Sequence, residues 1–495
     1  MSSTIVDWEG LCGALLSEKV IVLTRDNDDF RKWRARFSKT IRNFPVLIAF
    51  PRTDIDVSTI VKLCRKFNSP FAVAGGRHTT SDASSCTNGL IIDLHRMRTI
   101  SVCAQTQTIR VGGGARWGEV NRTLATYELA AVGPTVEDVG VGGSTLGGGY
   151  GWLSGRYGLI IDNLLSAKIV LADGRIITTS PTSEPDLFWA IRGAGQSFGV
   201  VVEFEFQAYE QKHDVWSAHL VFHITELENV IWFANRLMRE TKGESAMVVD
   251  IAKFRSVDSQ IGIRATVFHN GPAKDAEQIF GRLLELNPVY SDVGCAKRPY
   301  HESNEMMFER GLHNVSKGAS FTTPLRPKFV RDVLVPQLVT FYEKFRGSDA
   351  TIVQLSFHKP DKWCEVPVTE TAHGHRGYFQ SALVHAHWAR AKDNEAARQW
   401  CLQMALLIRN ERAQHGTVPD DGLVTEYGNY DHLSASPQEI YGVNYPRLVE
   451  LKKRYDPDNI QHKIQLQDIQ LLRNLQTQDE IHLQGIQVLQ TQHEV

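Results

Sequence analysis

Ten of the 38 glycines in this 495-residue chain fall between Gly133 and Gly158, in the text VGPTVEDVGVGGSTLGGGYGWLSGRYG. Glycine tolerates positive φ and lets another group approach the main chain closely, and successive exposed N–H groups form a nest for phosphate oxygens. Two further glycine turns accompany the cluster. AGGRHTTS sets His78 just behind Gly75 and Gly76, and RGAGQSFGVV runs through Gly193 and Gly195 into an apolar strand. Three such loops around one block suit one long anionic ligand. The cluster has no lysine, so it is not a GxxxxGK[ST] phosphate loop. The stretch Gly140-Val-Gly142-Gly143-Ser144-Thr145 lacks the third glycine of a dinucleotide fingerprint. Elsewhere, His385 and His387 in VHAHW alternate along a presumed strand and so share one face. They are either acid/base or substrate-binding groups or ordinary core histidines. Joined with His373 or His375 they make a poor metal site, because no acidic or cysteine ligand accompanies them.

The elements around these residues read as follows. An apolar run before Pro51 is a strand, and DIDVSTIVKLCRKFN is a helix with Val57, Ile60, Val61 and Cys64 on one face and Asp54 or Asp56 as cap. FAVAGG is a short strand, LLSAKIVLADGRIITTS a hairpin turning at Asp173-Gly174, PDLFWAIRG a helix opened by Pro, and VVVEFEFQAYE an alternating strand. From about 211 to 420, strands (WSAHLVFHI, MVVDIAKF, IGIRATVFHN, TIVQLSFH, FQSALVHAHW) alternate with longer helices, which suits a sheet covered by helices on one face. The expected organisation is α+β: a first domain over 1–210, a second over 211–420, a return to the first over 421–460, and a Gln-rich tail over 461–495. The tail is either a low-complexity extension or a helix that docks on a partner.

Composition excludes several classes. With 54 basic and 56 acidic side chains the formal charge is −2, so no general field holds a polyanion and nucleic acid is not expected. No apolar run approaches the roughly 18 residues of a membrane span. The N-terminus lacks a basic segment followed by a long apolar core, so a cytoplasmic location is expected. The seven cysteines are scattered, with neither CxxC nor a disulfide framework.

Taken with PRTDIDVSTIV, IIDL, VGGGARWGEV, IVLADGRI, DLFWAIRGAGQSFGVV and YGNYD…YGVNYPRLVELKKRYDPDN, these loops closely resemble the vanillyl-alcohol oxidase superfamily. They resemble its PCMH-type FAD domain and, in particular, the berberine bridge enzyme-like oxidoreductases, most of all fungal members. The likeness spans about residues 42–460. It implies a two-part FAD-binding domain plus a substrate domain with an antiparallel sheet. It implies FAD attached covalently through His78 alone, since Gly133 or a neighbour stands where many relatives carry a second, cysteinyl attachment. Cofactor contacts are expected from Gly75, Gly76, Arg77, His78, Thr79 and Thr80, and from Pro134, Thr135, Asp138, Gly142, Gly143 and Ser144. Helix-starting residues Gly147, Gly148 and Gly149, the turn from Gly195 to Val201, and Asn444 should complete that site.

By the same resemblance Tyr430, in YGNYD, is the catalytic base, with His387 a second catalytic candidate. The alternative for Tyr430 is an aromatic packing residue beside the flavin. A phenol with pKa near ~10 is a poor base at neutral pH, and lowering it by about 3 units asks roughly 4 kcal/mol from neighbours. Arg77 departs from the glycine many members have there, and either steers a phosphate or points to solvent. The text after Asn459 departs from the family's closing strand. The resemblance implies an oxidase that takes hydride from an alcohol, amine or activated C–H of a small natural-product-type substrate and passes electrons to O₂, giving H₂O₂. The alternatives are a dehydrogenase with another acceptor and a flavin-binding protein without turnover; His78 and Tyr430 argue against the last.

Overall fold

A computed structural model of the chain describes residues 6–41, 44–304, 311–416, 425–430 and 435–460. The Gln-rich tail lies outside them. The architecture is α+β, as expected. The apolar run before Pro51 forms the strand Leu47–Phe50, and the helix Asp54–Lys66 follows it. That helix is capped by Thr53, not by either aspartate. The Thr53 hydroxyl accepts from the Asp56 N–H at 3.1 Å, and the Asp56 carboxylate accepts from the Thr53 N–H at 3.2 Å. Val57, Ile60, Val61 and Cys64 are fully buried against Leu47, Phe71 and Leu90. The crossover makes Leu47–Phe50, Leu90–Asp93 and Phe71–Ala74 a parallel set, joined on one side by antiparallel Ile21–Thr24. Burial of all four residues of Leu90–Asp93 is what a strand covered on both faces shows.

A second sheet is antiparallel, in the order Ile100–Cys103, Thr108–Gly112, Val200–Gln207, Leu164–Val170, Ile176–Thr179. Its last two strands are the expected hairpin, with Gly174 at φ 84° in the turn. The helix Pro185–Ala194 starts on proline and kinks at Arg192 and Gly193, which leave helical φ/ψ.

The largest sheet is antiparallel throughout. Its long strands run in the order Val215–His223, Gln260–His269, Ser245–Phe254, Ile352–Phe357, Gln380–Trp388, His313–Phe321. The last was not expected from the sequence. One face packs on the helices Leu227–Glu240, Ala273–Leu284, Val335–Lys344 and Asn394–His415, burying Leu220, Val249, Val267, Leu355 and Val384 against Val230, Phe280, Leu338 and Met404. The opposite face is polar. Register sets its side chains in cross-strand rows: Gly318, Leu383, Gln354, Asp250 and Arg264 in one, and Ser320, Ser381, Ser356, Val248, Thr266 and His219 in the next. Near the C-terminus, the helix Tyr445–Tyr455 is tied to the turn after Ala194 by Lys452, whose Nζ donates to the Ser197 carbonyl at 2.5 Å and to Asp456 at 2.7 Å.

Candidate active site

The glycine loops meet backbone to backbone. Gly75 and Gly76 leave the strand Phe71–Ala74, and a side chain on Gly76 would strike the main chain of Gly140, as one on Gly140 would strike Gly76. Gly75 and Gly142 flank the Gly113 carbonyl from either side, and the start of the strand Val200–Gln207 closes on Gly113 through buried Val201. Pro134 and Thr135 are half-buried in the loop opposite. Within the buried run 141–149, Gly143 alone is exposed, and a Cβ added there would meet nothing within 4 Å. Bare backbone on a floor with one open position is what a flat ring and phosphates require.

His78 stands at one end of this floor. Its Nε2 lies 3.0 Å from Asp138 Oδ1, and its ring stacks on Phe37 at 4.6 Å between centroids. Thr79 and Ser81 share a hydrogen bond at 2.8 Å. Arg77 does not point freely to solvent. At φ 57° its side chain turns back, donating to fully buried Asp93 at 3.0 and 2.5 Å and covering the Trp33 ring at 4.5 Å. Burial pushes the Asp93 carboxyl up, and Arg77 opposes that.

Ser144 is occupied structurally: its hydroxyl accepts from Trp117 Nε1 at 2.8 Å and donates to the Gly140 carbonyl at 2.9 Å. Gly147 to Gly149 do not start a helix; they end the helix Val141–Leu146, with Gly147 as its C-cap. Gly147 lies against the Asn429 amide, Gly148 at φ 112° against the His373 ring, and Gly149 against Ile160. The turn near Gly193 and Gly195 packs likewise on His373 and Leu146. Asn444 is buried and donates to the carbonyls of Val368 and Thr371 at 2.8 and 3.0 Å, holding the loop that carries His373.

The edge strand His313–Phe321 joins the two halves of the site. The N–H of Asn314 donates to Ser38 Oγ at 3.3 Å, that of Ser316 to Thr80 Oγ1 at 3.2 Å, and that of Gly318 to the Tyr430 carbonyl at 3.0 Å. Residues two apart on a strand are separated by about 7 Å, so the loop bearing His78 and the backbone of Tyr430 dock side by side. The absent side chain of Gly318 makes room for the Tyr430 Cβ. The Tyr430 hydroxyl shares a hydrogen bond with that of Tyr150 at 3.1 Å, and Tyr427 packs edge-on against Tyr430 at 4.8 Å.

Burial, then the neighbouring Tyr150, Tyr427 and Asp250, push the Tyr430 phenol well above its ordinary range. This is the opposite of the lowering that a base at this residue requires. Burial also raises Tyr150, and its hydrogen-bonding neighbours Tyr430, Ser356 and Ser381 offset only part of that rise. The Tyr150 O–H donates to the Tyr430 oxygen, and Ser356 and Ser381 are further hydrogen-bonding neighbours of Tyr150.

His385 and His387 do share a face, with ring centroids 4.4 Å apart. His385 Nδ1 lies 2.7 Å from Ser316 Oγ, and its ring is 5.8 Å from Phe37, on the His78 side. His387, fully buried and pushed down to about 4 by burial, lies opposite Asn314. That is four residues, about 13 Å, along the strand from Gly318, so the structure does not bring it to the tyrosines. His373 and His375 are also buried, His375 with Nδ1 2.6 Å from the Thr425 carbonyl. Among the described residues no three His, Cys, Asp or Glu side chains form a metal-holding group, and no helix is long and apolar enough to cross a membrane.

Comparison with known proteins agrees with this geometry. The family described as FAD binding domain matches residues 45–180, and that described as Berberine and berberine like matches 426–462. An uncharacterized FAD-linked oxidoreductase of Bacillus subtilis strain 168, YgaK, is 36% identical over 467 residues, covering 89% of this chain and 94% of that one. FAD-linked oxidoreductase pgmH of Aspergillus terreus is 28% identical over 480 residues, covering 92% and 95%. Among solved structures, 6-hydroxy-D-nicotine oxidase of Arthrobacter nicotinovorans aligns with a TM-score of 0.75 at 25% identity, covering 89% and 96%. Fold, loops and relatives together define a flavin-dependent enzyme. The chain belongs to the FAD-linked oxidoreductases of the berberine bridge enzyme-like family.

Proposed function

We propose that this oxidoreductase is an oxidase that takes hydride from an alcohol, amine or activated C–H of a small natural-product-type substrate and delivers the electrons to O₂ as H₂O₂. The observation that carries this reading is the docking of the His78 loop and Tyr430 on adjacent N–H groups of one edge strand. A cofactor anchored at one is thereby set beside a polar phenol pair at the other.

FAD, when bound, supplies the hydride acceptor. His78 would carry it as the single covalent attachment, its ring oriented by Asp138 and Phe37. The backbone of Gly75, Gly76, Gly142 and Gly143, with Pro134, Thr135 and Val201 around them, would hold the rest, in keeping with the bare floor described above. Removal of hydride from a carbon bearing OH or NH requires the heteroatom's proton to leave as well. Tyr430 and Tyr150 form the proton-handling pair. Tyr430 accepts from the Tyr150 O–H and orients the heteroatom, and Tyr150, with Ser356 and Ser381 beside it, is the phenol that burial raises less. His387, about 13 Å along the strand from Gly318, takes no part in that pair.

The experiment is peroxide release from purified protein across a panel of alcohols and amines, without added acceptor. Release that disappears with Tyr430→Phe while flavin is retained supports the reading. Reduction of an artificial dye with no peroxide would make the enzyme a dehydrogenase.

A further inference from the structure

The polar face of the large sheet carries the charged pair Arg264 and Asp250. Asp250 is fully buried, and both of its oxygens are taken. Oδ2 accepts from Arg264 Nε and Nη2 at 3.0 and 2.6 Å, and Oδ1 accepts from Gln354 Nε2 at 2.9 Å. Arg264 is different. Its side chain is 33% exposed, and of the five donors a guanidinium offers, two are spent on Asp250. Asp250 and Gln354 therefore hold a planar cation flat with its other edge open.

The surroundings limit what that edge can take. His219, one row along, rests its Nδ1 3.1 Å from Thr266 Oγ1, and burial pushes its ring below the ordinary imidazole range. The nearby Asp292 carboxylate accepts from the His219 N–H at 2.5 Å and lies 3.3 Å from Arg298, so its charge is met. The Phe254 ring sits 5.6 Å from the Arg264 guanidinium carbon and gives an apolar flank. A planar fork matches a carboxylate bidentately. Because Asp250 already offsets part of the charge, a monoanion fits better than a phosphate dianion.

Register fixes the distance to the chemistry. Tyr150 touches Ser356 and Ser381, and between those strands and the Arg264 strand lie two and a half strand spacings, about 12 Å at the backbone, with the guanidinium on Asp250 about one spacing nearer. The strand between them contributes Val248 to the serine row, an apolar step.

We propose that Arg264 anchors a carboxylate on the substrate, about 7–12 Å from the carbon that is oxidised beside the tyrosine pair. The enzyme is then selective for an elongated acid rather than a neutral alcohol or sugar. The proposal rests on the tyrosine pair being the chemical end of the site.

The test is a titration of the flavin-loaded enzyme with 4-phenylbutanoate and with 4-phenylbutanamide, read as perturbation of the flavin visible spectrum. The acid should bind about tenfold tighter than the amide, and Arg264→Gln should bring the acid down to the level of the amide. Arg264→Lys keeps a cation for Asp250, guarding against misfolding, and should lower the acid-to-amide ratio at least about threefold through loss of the fork. No preference for the acid in the native enzyme, or a ratio unchanged in these variants, overturns the proposal. The titration needs no turnover, so a flat ratio counts against Arg264 alone. Absence of peroxide release counts against the oxidase reading.

Discussion

Tyr150 and Tyr430 are both held in the protonated form by burial. A reaction that needs one of them ionised should therefore accelerate with pH, by about tenfold per unit while pH stays below the relevant pKa. Rates measured from pH 6 to 9.5 with the flavin spectrum monitored should rise without a plateau near neutrality; a pH-independent rate would remove the phenols from the proton path. Tyr150→Phe and Tyr430→Phe should each lower turnover by about 10²–10⁴ with the cofactor still bound. At Arg77 the expectation concerns stability. Arg77→Leu leaves the Asp93 carboxylate buried without its fork and should cost about 3–5 kcal/mol in urea unfolding.

At the level of elements, the loops work because their backbones touch. Gly76→Ala places a Cβ into the main chain of Gly140, and the rigid partner is backbone, not a movable side chain. The variant should lose bound flavin and unfold at lower temperature, whereas Gly143→Ala, with open space above it, should fold as stably as the native chain when flavin-free. What could be read from sequence follows from the same physics. Val57, Ile60, Val61 and Cys64 declare a helix because one face must be apolar over 13 residues. The strand His313–Phe321 escaped because its cleft-side positions are Asn314, Ser316, Gly318 and Ser320, and its helix-side run is broken by buried Lys317. Neither alternation nor an apolar run marks it, although it docks both Thr80 and Tyr430. Tyr150 was hidden inside the glycine cluster. Asp250 and Arg264 read as ordinary polar positions of alternating strands until register placed them side by side.

Across the whole molecule, His358, His375 and His387 are each buried and pushed down to about 4. An unfolded chain protonates these rings near ~6.5, so between roughly pH 6.5 and 4 it binds protons that the folded chain does not. Stability should therefore fall as pH drops through that window, and be unaffected by these groups above it. Thermal unfolding followed by circular dichroism from pH 8 to 4 checks this, with a midpoint that holds above neutrality and declines below about 6.5.

Attachment of FAD to His78, where the glycine loops meet the sheet edge, is tested by precipitating the purified protein with acid and recording the visible spectrum of the washed, redissolved pellet. The native protein should give a flavin spectrum in the pellet, and His78→Ala should transfer it to the supernatant. A colourless native pellet, or a pellet that stays yellow in His78→Ala, would contradict it.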